Sequence, residues 1–409
     1  MRHAQLALVA LFVSASSLAF ASGCSVRLGG DGEGEASGEA SGSGTGTGNG
    51  QALAYFPPEK PSVPSPTSHC TPAPALFAQA AVCVCGSMSH AGKLTTIARP
   101  GESADVGIFG GFSGASGTRI DGSLRTAEGV SFAGDVDVRD HLYSAADVSG
   151  AGTLSVGGDL AVKGDLSGAG SLRVGGALRV GQSTSFAGRT SVGQKAQFVD
   201  PGMAPCGCDK ASLYDVAGAV SAAREQNDNA KADLPLDANA LVGKTQLSLG
   251  QGRYYLSGAT AVGKLRVRIE GAVQLYLDGD LTSVGEGQFS LAPGATLDLF
   301  VNGALTTVGH AAFGDPSRPE AFRLYVGGKN ASISFAGKDA FHGLLYAPEA
   351  KISFAGGAVV DGALYAGELS YAGDLTVRAA RVSVQGSSCE EPAKIPASPT
   401  PVPAPAEAR

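Results

Sequence analysis

From Ser113 to Ala196 apolar and polar positions alternate, and the alternation recurs with a fixed period of 18. Ile120, Val138, Val156, Val174 and Val192 share one column of the repeat; Leu124, Leu142, Leu160, Leu178 and Ala196 share another. Further apolar columns are Phe112/Val130/Val148/Leu166, Val136/Leu154/Leu172 and Val162/Val180. All these positions are even-numbered. Strand side chains alternate faces with period two, and because 18 is even, an inward position stays inward on every repeat. Small-residue signals fall between the apolar runs: Ser113-Gly-Ala-Ser, Ser131-Phe-Ala-Gly, Ser149-Gly-Ala-Gly, Ser167-Gly-Ala-Gly, Ser185-Phe-Ala-Gly, and the pairs Gly157-Gly158 and Gly175-Gly176. Corners need such residues. The pattern predicts an all-β fold, a parallel β-helix expected to be right-handed, with three short strands per turn rising about 4.8 Å per rung. Each rung buries roughly five Leu, Val or Phe side chains at about 1.5–3 kcal/mol apiece. Backbone ordering costs about 1–2 kcal/mol per residue, so a rung is stable only when stacked.

After Cys206-Gly-Cys208 the period stops. Asp209 can N-cap a helix running to about Glu225, in which Leu213, Val216, Val220 and Ala223 follow a helical period, and Asn227-Asp228-Asn229 ends it. This helix is expected as an end cap or brace on the solenoid. Asn227, Asp228, Asn229 and Asp233 lack the ordered spacing of a calcium loop. From Lys244 strands return with longer rungs. Leu275-Tyr-Leu-Asp-Gly is echoed at an offset of 24 by Leu299-Phe-Val-Asn-Gly, and at a further 25 by Leu324-Tyr-Val-Gly-Gly. Ile333-Ser-Phe-Ala-Gly337 recurs at an offset of 19 as Ile352-Ser-Phe-Ala-Gly356 and loosely as Leu369-Ser-Tyr-Ala-Gly373. The organisation expected is thus 76–205 as rungs of constant period, 206–243 as a Cys-x-Cys and helical segment, and 244–388 as rungs whose period varies from 19 to 25.

The flanks are not solenoid. Residues 1–23 carry Arg2 and an apolar run from Leu6 to Phe20, the pattern of a secretory signal. Ala21-Ser22-Gly23-Cys24 resembles a bacterial lipobox, with Ala21 where Leu is usual. The resemblance implies acylation of Cys24 and attachment to a membrane, with Ser25 favouring the outer one; the alternative is ordinary cleavage after Ala21, which leaves a soluble secreted chain. Residues 24–75 are a Gly/Ser-rich and then Pro-rich stalk, and 389–409 a Pro-rich tail expected to be disordered.

Composition narrows the chemistry. Of 409 residues 60 are Gly, none is Trp, and the net charge is −7, so nucleic acid is not an expected partner. Setting Cys24 aside leaves Cys70, Cys83, Cys85, Cys206, Cys208 and Cys389. An even count in an exported chain points to disulfides, with connectivity open. Two Cys-x-Cys pairs also admit a four-thiolate zinc site, but their spacing is tighter than usual and the compartment oxidising, so no metal is expected. Ala238 to Thr245 formally fits a P-loop, yet an alternating strand pattern follows it instead of a helix; Gly258 to Lys264 is a similar near-match. His69, His90, His141, His310 and His342 show no metal-type pairing. Asp278, Asp280, Asp298 and Asn302 fall on adjacent rungs and admit acid–base work on a glycan, but read more simply as solvated turn residues. His342 and Asp361 occupy equivalent slots and read as turn markers.

The Leu-Tyr-Ala-Pro-x-Ala and Ser-Phe-Ala-Gly rungs, the Pro-Cys-x-Cys helix segment and the Gly252-Arg253-Tyr254-Tyr255-Leu256 strand resemble an uncharacterised β-helical domain of bacterial, myxobacterial-type surface lipoproteins and some pilus-associated proteins. The likeness spans roughly Cys206 to Gly386 and implies a fold and an address, not a reaction. The earlier, constant-period rungs resemble those of bactofilins. No catalytic residue and no cofactor are expected. The function expected is a lipid-anchored cell-envelope scaffold or adhesion protein, whose partners are a membrane and an envelope glycan or surface protein. The alternatives are a carbohydrate-binding or carbohydrate-active protein and a bactofilin-like polymer.

Overall fold

The computed structural model describes residues 80–380, apart from 201, 203–204, 211–212, 233 and 235–240. Cys24, Cys70 and Cys389, with the segments expected to be signal (1–23), stalk (24–75) and tail (389–409), lie outside the described residues. The described chain is a parallel β-solenoid, 25 strands in one sheet with a single short α-helix. In the constant-period region each rung has three strands of mostly three residues, for example Val106–Ile108, Phe112–Gly114 and Thr118–Ile120. The columns are physical stacks. Leu124 pairs with Leu142, Leu142 with Leu160 and Leu160 with Leu178. Ile120, Val138, Val156, Val174 and Val192 follow in register. The even positions through Leu178 fill the core. The last rung departs from the expected repeat: Leu178 faces Lys195, not Ala196, because an irregularity after Val174 shifts the register by one.

Inward glycines are explained by their neighbours. Phe132, Gly150, Gly168 and Phe186 stack in one inward column. A Cβ on Gly150 would overlap the Phe132 ring, and one on Gly168 would meet the Phe186 ring. Two aromatic rings therefore fill a layer that four medium-sized side chains would otherwise share.

The rungs do not stack in chain order. Val82–Val84 pairs on one side with Val106–Ile108 and on the other with Leu364, Tyr365 and Ala366. Met88–His90 likewise lies between Phe112–Gly114 and Leu369, Ser370 and Tyr371. Leu94–Ile97 lies between Leu375–Arg378 and Thr118–Arg119. The described chain thus starts mid-stack and builds its constant-period rungs outward to Thr190–Lys195. It then returns along the side, restarts at the far end with Leu241–Leu249, and closes onto its own first rung. The two repeat regions form one continuous solenoid.

The return segment is a strap on an outward column of aromatic residues. Tyr255, Tyr276, Phe300, Tyr325, Tyr346 and Tyr365 pair in sequence along that column, followed by Cys83, Gly107, Arg125 and Tyr143. The strap meets the column rung by rung. Tyr143 donates its hydroxyl to Asp200 at 2.9 Å. Pro205 crosses Gly107 so closely that a Cβ there would overlap its carbonyl oxygen. Cys206 and Cys208 are disulfide-bonded to Cys83 and Cys85. The Tyr214 amide donates to the Tyr346 hydroxyl at 2.8 Å. Helix α1 (Val216–Glu225) then buries Val216, Val220 and Ala223 against the aromatic column.

One expectation about this helix needs correction, and another is decided between its two alternatives. Its N-cap is Asp215, whose carboxylate accepts the Gly218 amide at 2.8 Å; Asp209 lies well before it. It is a lateral brace, not an end cap, because its apolar stripe matches the outward aromatics and not the open edge of a rung. The Asn227–Asn229 stop is a docking point. Asn229 exchanges two hydrogen bonds with the Tyr255 backbone, and the Asp228 carboxylate accepts the Arg253 amide.

Candidate functional site

The most regular surface runs the length of the stack. Thr260, Thr282, Thr306, Ser334, Ser353 and Ser370 pair in series. The line continues through Ser89, Ser113, Ser131, Ser149, Ser167 and Ser185. One hydroxyl therefore projects from each rung, about 4.8 Å from the next, over about 50 Å. Two residues on, a parallel line carries methyl groups. Val262, Val284 and Val308 lead into Ala336, Ala355 and Ala372, and Ala133, Ala151, Ala169 and Ala187 occupy the same line on the far rungs. The three valines are 46%, 40% and 45% exposed, unusual for residues of this size. Beyond the methyl line a glycine turns the corner with positive φ, as at Gly285 (117°) and Gly309 (120°). The result is an uncharged strip of one hydroxyl row beside one methyl row.

The corners beside such strips are fixed by carboxylates. Asp135, Asp147, Asp159 and Asp165 each accept a backbone amide from the equivalent corner of the next rung: Thr153, Asp165, Ala177 and Ser183. Asp105 does the same for Ser123 at 2.8 Å. Asp280 does it across a longer rung for Ala304. A side-chain oxygen here takes the place of a carbonyl where the ladder breaks to turn. Arginines on the next rung add ion pairs: Arg125 with Asp105, Arg139 with Asp121, Arg179 with Asp159. Arg179 and the Ala177 amide hold the Asp159 carboxyl below its usual range.

The acidic residues singled out from the sequence are dispersed. Asp278 accepts from Tyr255 Oη and Asn302 Nδ2, both at 2.9 Å. Asp280 caps a corner. Asp298 makes a two-point ion pair with Arg323, with Nη2 at 2.8 Å from Oδ2. Burial pushes the Asp298 carboxyl up against the opposing pull of Arg323. They belong to three different columns, and hydrogen bonds or ion pairs engage each one. His342 and Asp361 were expected to mark turns. They lie instead within the long strands Asp339–Ala355 and Ala358–Ala372, directly paired. His342 Nδ1 is 2.7 Å from Asp361 Oδ2, and Arg378 Nη1 is 3.0 Å from Oδ1. His90 is inside the core, stacked on Tyr371 with ring centroids 5.0 Å apart. Its Nδ1 donates to Gly92 O and its Nε2 accepts from Thr118 Oγ1. Lys244 and Thr245, which end the P-loop-like segment, lie in the strand Leu241–Leu249, and Lys264 of the other near-match lies in Ala259–Ile269.

A shallow recess of about 270 Å³ opens beside the start of α1, between Tyr214, Val216, Gly327, Lys329, Tyr346 and Glu349. Among the described residues, no helix is long and apolar enough to cross a membrane.

Residues 207–381 match the family model of a domain of unknown function, DUF7305. The matched segment comprises most of the strap and all the longer rungs. It contains Cys208, while Cys85, its disulfide partner, lies outside it. No curated protein matches the chain. An ice-binding protein from an Antarctic bacterium, Flavobacteriaceae, is similar at 10% identity, with 75% of this chain and 99% of that chain covered and a TM-score of 0.17. A score that low carries no functional argument.

Sequence reasoning found the Ser-x-Ala-Gly repeats but not the full strip. Ser89-His-Ala-Gly and the three Thr-x-Val-Gly segments at Thr260, Thr282 and Thr306 obey the same rule with larger residues. The shared signal was a hydroxyl, then a small or β-branched apolar residue two positions on, then glycine.

Proposed function

We propose that this protein is a non-enzymatic, β-solenoid scaffold or adhesion protein of the bacterial cell envelope, held to the outer membrane through lipid on Cys24. Its working contact surface is the hydroxyl–methyl strip. The observation that carries this reading is the unbroken Thr/Ser line from Thr260 to Ser185, which spans both repeat regions. Neither repeat region needs a shared outward pattern to fold, because the core is set by the inward positions. A long, uncharged strip repeated rung by rung suits contact with an extended surface better than capture of a small ligand, for which sites are concave pockets. The engagement of Asp278, Asp280 and Asp298 in structural bonds supports a contact role over acid–base chemistry.

The test is a binding assay of the chain prepared without its lipid, so that the anchor does not contribute, on isolated envelope fractions and on intact cells lacking the protein. Ala133→Lys, Ala169→Lys and Ala355→Lys together place charge on the strip at exposed positions on non-adjacent rungs, where stability changes by about 0.5 kcal/mol or less per site. Loss of binding at unchanged melting temperature supports the reading; undiminished binding by the triple variant contradicts it. The polymer reading gains one observation. Among the described residues nothing covers the outer edge of the terminal strands Thr184–Ala187 and Thr190–Lys195, whose side chains are largely exposed. Filaments of the delipidated chain in negative stain would support that reading.

A further inference from the structure

The strap crosses the solenoid where four sulfurs meet. Cys83 and Cys85 leave the same outward side of their strand because residues two apart share a face. Cys206 and Cys208 come from the strap opposite. Besides the two bonded pairs, Cys83 Sγ lies 3.9 Å from Cys208 Sγ. The Sγ atoms of Cys83, Cys206 and Cys208 fall within 4.8 Å of one another, and Cys85 Sγ is bonded to that of Cys208. Four thiolates held at about 2.3 Å from a tetrahedral zinc ion are about 3.8 Å apart. The cross-pair separation already has that value, and reduction frees the bonded pairs to open to it. Tyr365 aims its hydroxyl at Cys208 Sγ from 3.6 Å, the kind of outer donor that steadies a metal-bound thiolate. The tight one-residue spacing, which argues against zinc in the sequence alone, ceases to be an obstacle once each pair needs only to supply half of a site shared between two segments.

We propose that the dithiol form of this clasp is a tetrathiolate site for a soft divalent metal, zinc foremost. Each disulfide accepts two electrons and two protons from a dithiol reductant, which leaves as its own disulfide; two S–S bonds break and four S–H bonds form. Zinc then displaces four protons and forms four Zn–S bonds, leaving a site of net charge 2−. The strap stays fastened to the Val82–Val84 rung in both redox states, by disulfides when oxidised and by metal when reduced.

The test uses the full chain, freed of metal, reduced with a phosphine and titrated first with cobalt and then with zinc. The expected result is one metal per chain, a tetrahedral cobalt–thiolate absorption that zinc bleaches, and retention of the strand-rich circular dichroism spectrum. Cys206→Ser/Cys208→Ser is expected to abolish the absorption, and Cys70→Ser/Cys389→Ser to leave it unchanged. The proposal is overturned by absence of the absorption in the reduced chain, by its survival in the Cys206→Ser/Cys208→Ser chain, or by a reduced chain that loses its fold and does not recover it with zinc.

Discussion

At the residue scale, the solenoid depends on a few positions where a side chain does what the backbone cannot. His90 is one. Burial holds its imidazole below the usual value of 6.5, against the raising effect of its bond to Gly92. The folded state therefore binds fewer protons than the unfolded chain as pH falls below about 6.5, and stability declines there. His90→Phe keeps a ring against Tyr371 and removes this proton uptake. Urea denaturation at stepped pH is expected to show a loss of stability as pH falls below about 6.5 that is shallower in the variant. Asp105 is another. Its carboxylate accepts the Ser123 amide and an Arg125 N–H and touches Ser103 Oγ. Asp105→Ala leaves a corner amide without its acceptor and is expected to cost about 1–3 kcal/mol in denaturant unfolding. Gly107 shows the opposite constraint. Gly107→Ala drives a methyl into the Pro205 carbonyl and is expected to destabilise by about 1–3 kcal/mol and slow formation of the adjacent Cys83–Cys206 disulfide, read by timed alkylation.

At the scale of elements, the rungs were legible in the sequence and the strap only in part. Alternation and the fixed period identify inward residues because both are properties of one chain segment and its copies. The offsets of 24, 25 and 19 in the second region likewise coincide with observed pairings. The helix stripe of Val216, Val220 and Ala223 was legible too, but not its target. Tyr255, Tyr276, Phe300, Tyr325, Tyr346 and Tyr365 sit at outward positions, which strand periodicity alone marks as exposed. They are buried because the strap covers them, a tertiary fact without a local signal. Val220 is fully buried between these rings and the helix. Val220→Asp puts an unpaired charge there and is expected to detach α1 at a cost of several kcal/mol. Hydrogen exchange is expected to rise across Val216–Glu225 while the core strands stay protected.

At the scale of the whole molecule, the order of stacking is the feature the sequence hid most completely. Repeats say that rungs stack, but not which rung lies on which, since every rung offers the same ladder of amides and carbonyls. The first described rung lies between the chain's two halves, and the strap must therefore run back along the stack before the second half begins. The disulfides fasten that strap at the central rung. Whichever forms first closes a sequence separation of 123, a loop for which chain entropy gives roughly 4–5 kcal/mol of stabilisation; the second, two residues along on both segments, closes only a short further loop. The same order makes one strip of Thr/Ser and Val/Ala out of two dissimilar repeat regions. Stacking in chain order would have put Ser185 and Thr260, consecutive members of that strip along the chain, two rungs apart with only the Leu241–Leu249 rung between them. In the observed order they stand at its opposite ends. Spin labels at Ser185 and Thr260, measured by pulsed dipolar spectroscopy on the oxidised full chain, test this most directly. A solenoid that restarts at its far end predicts a distance of about 50 Å, set by the rung spacing, and a distance below about 20 Å would contradict it.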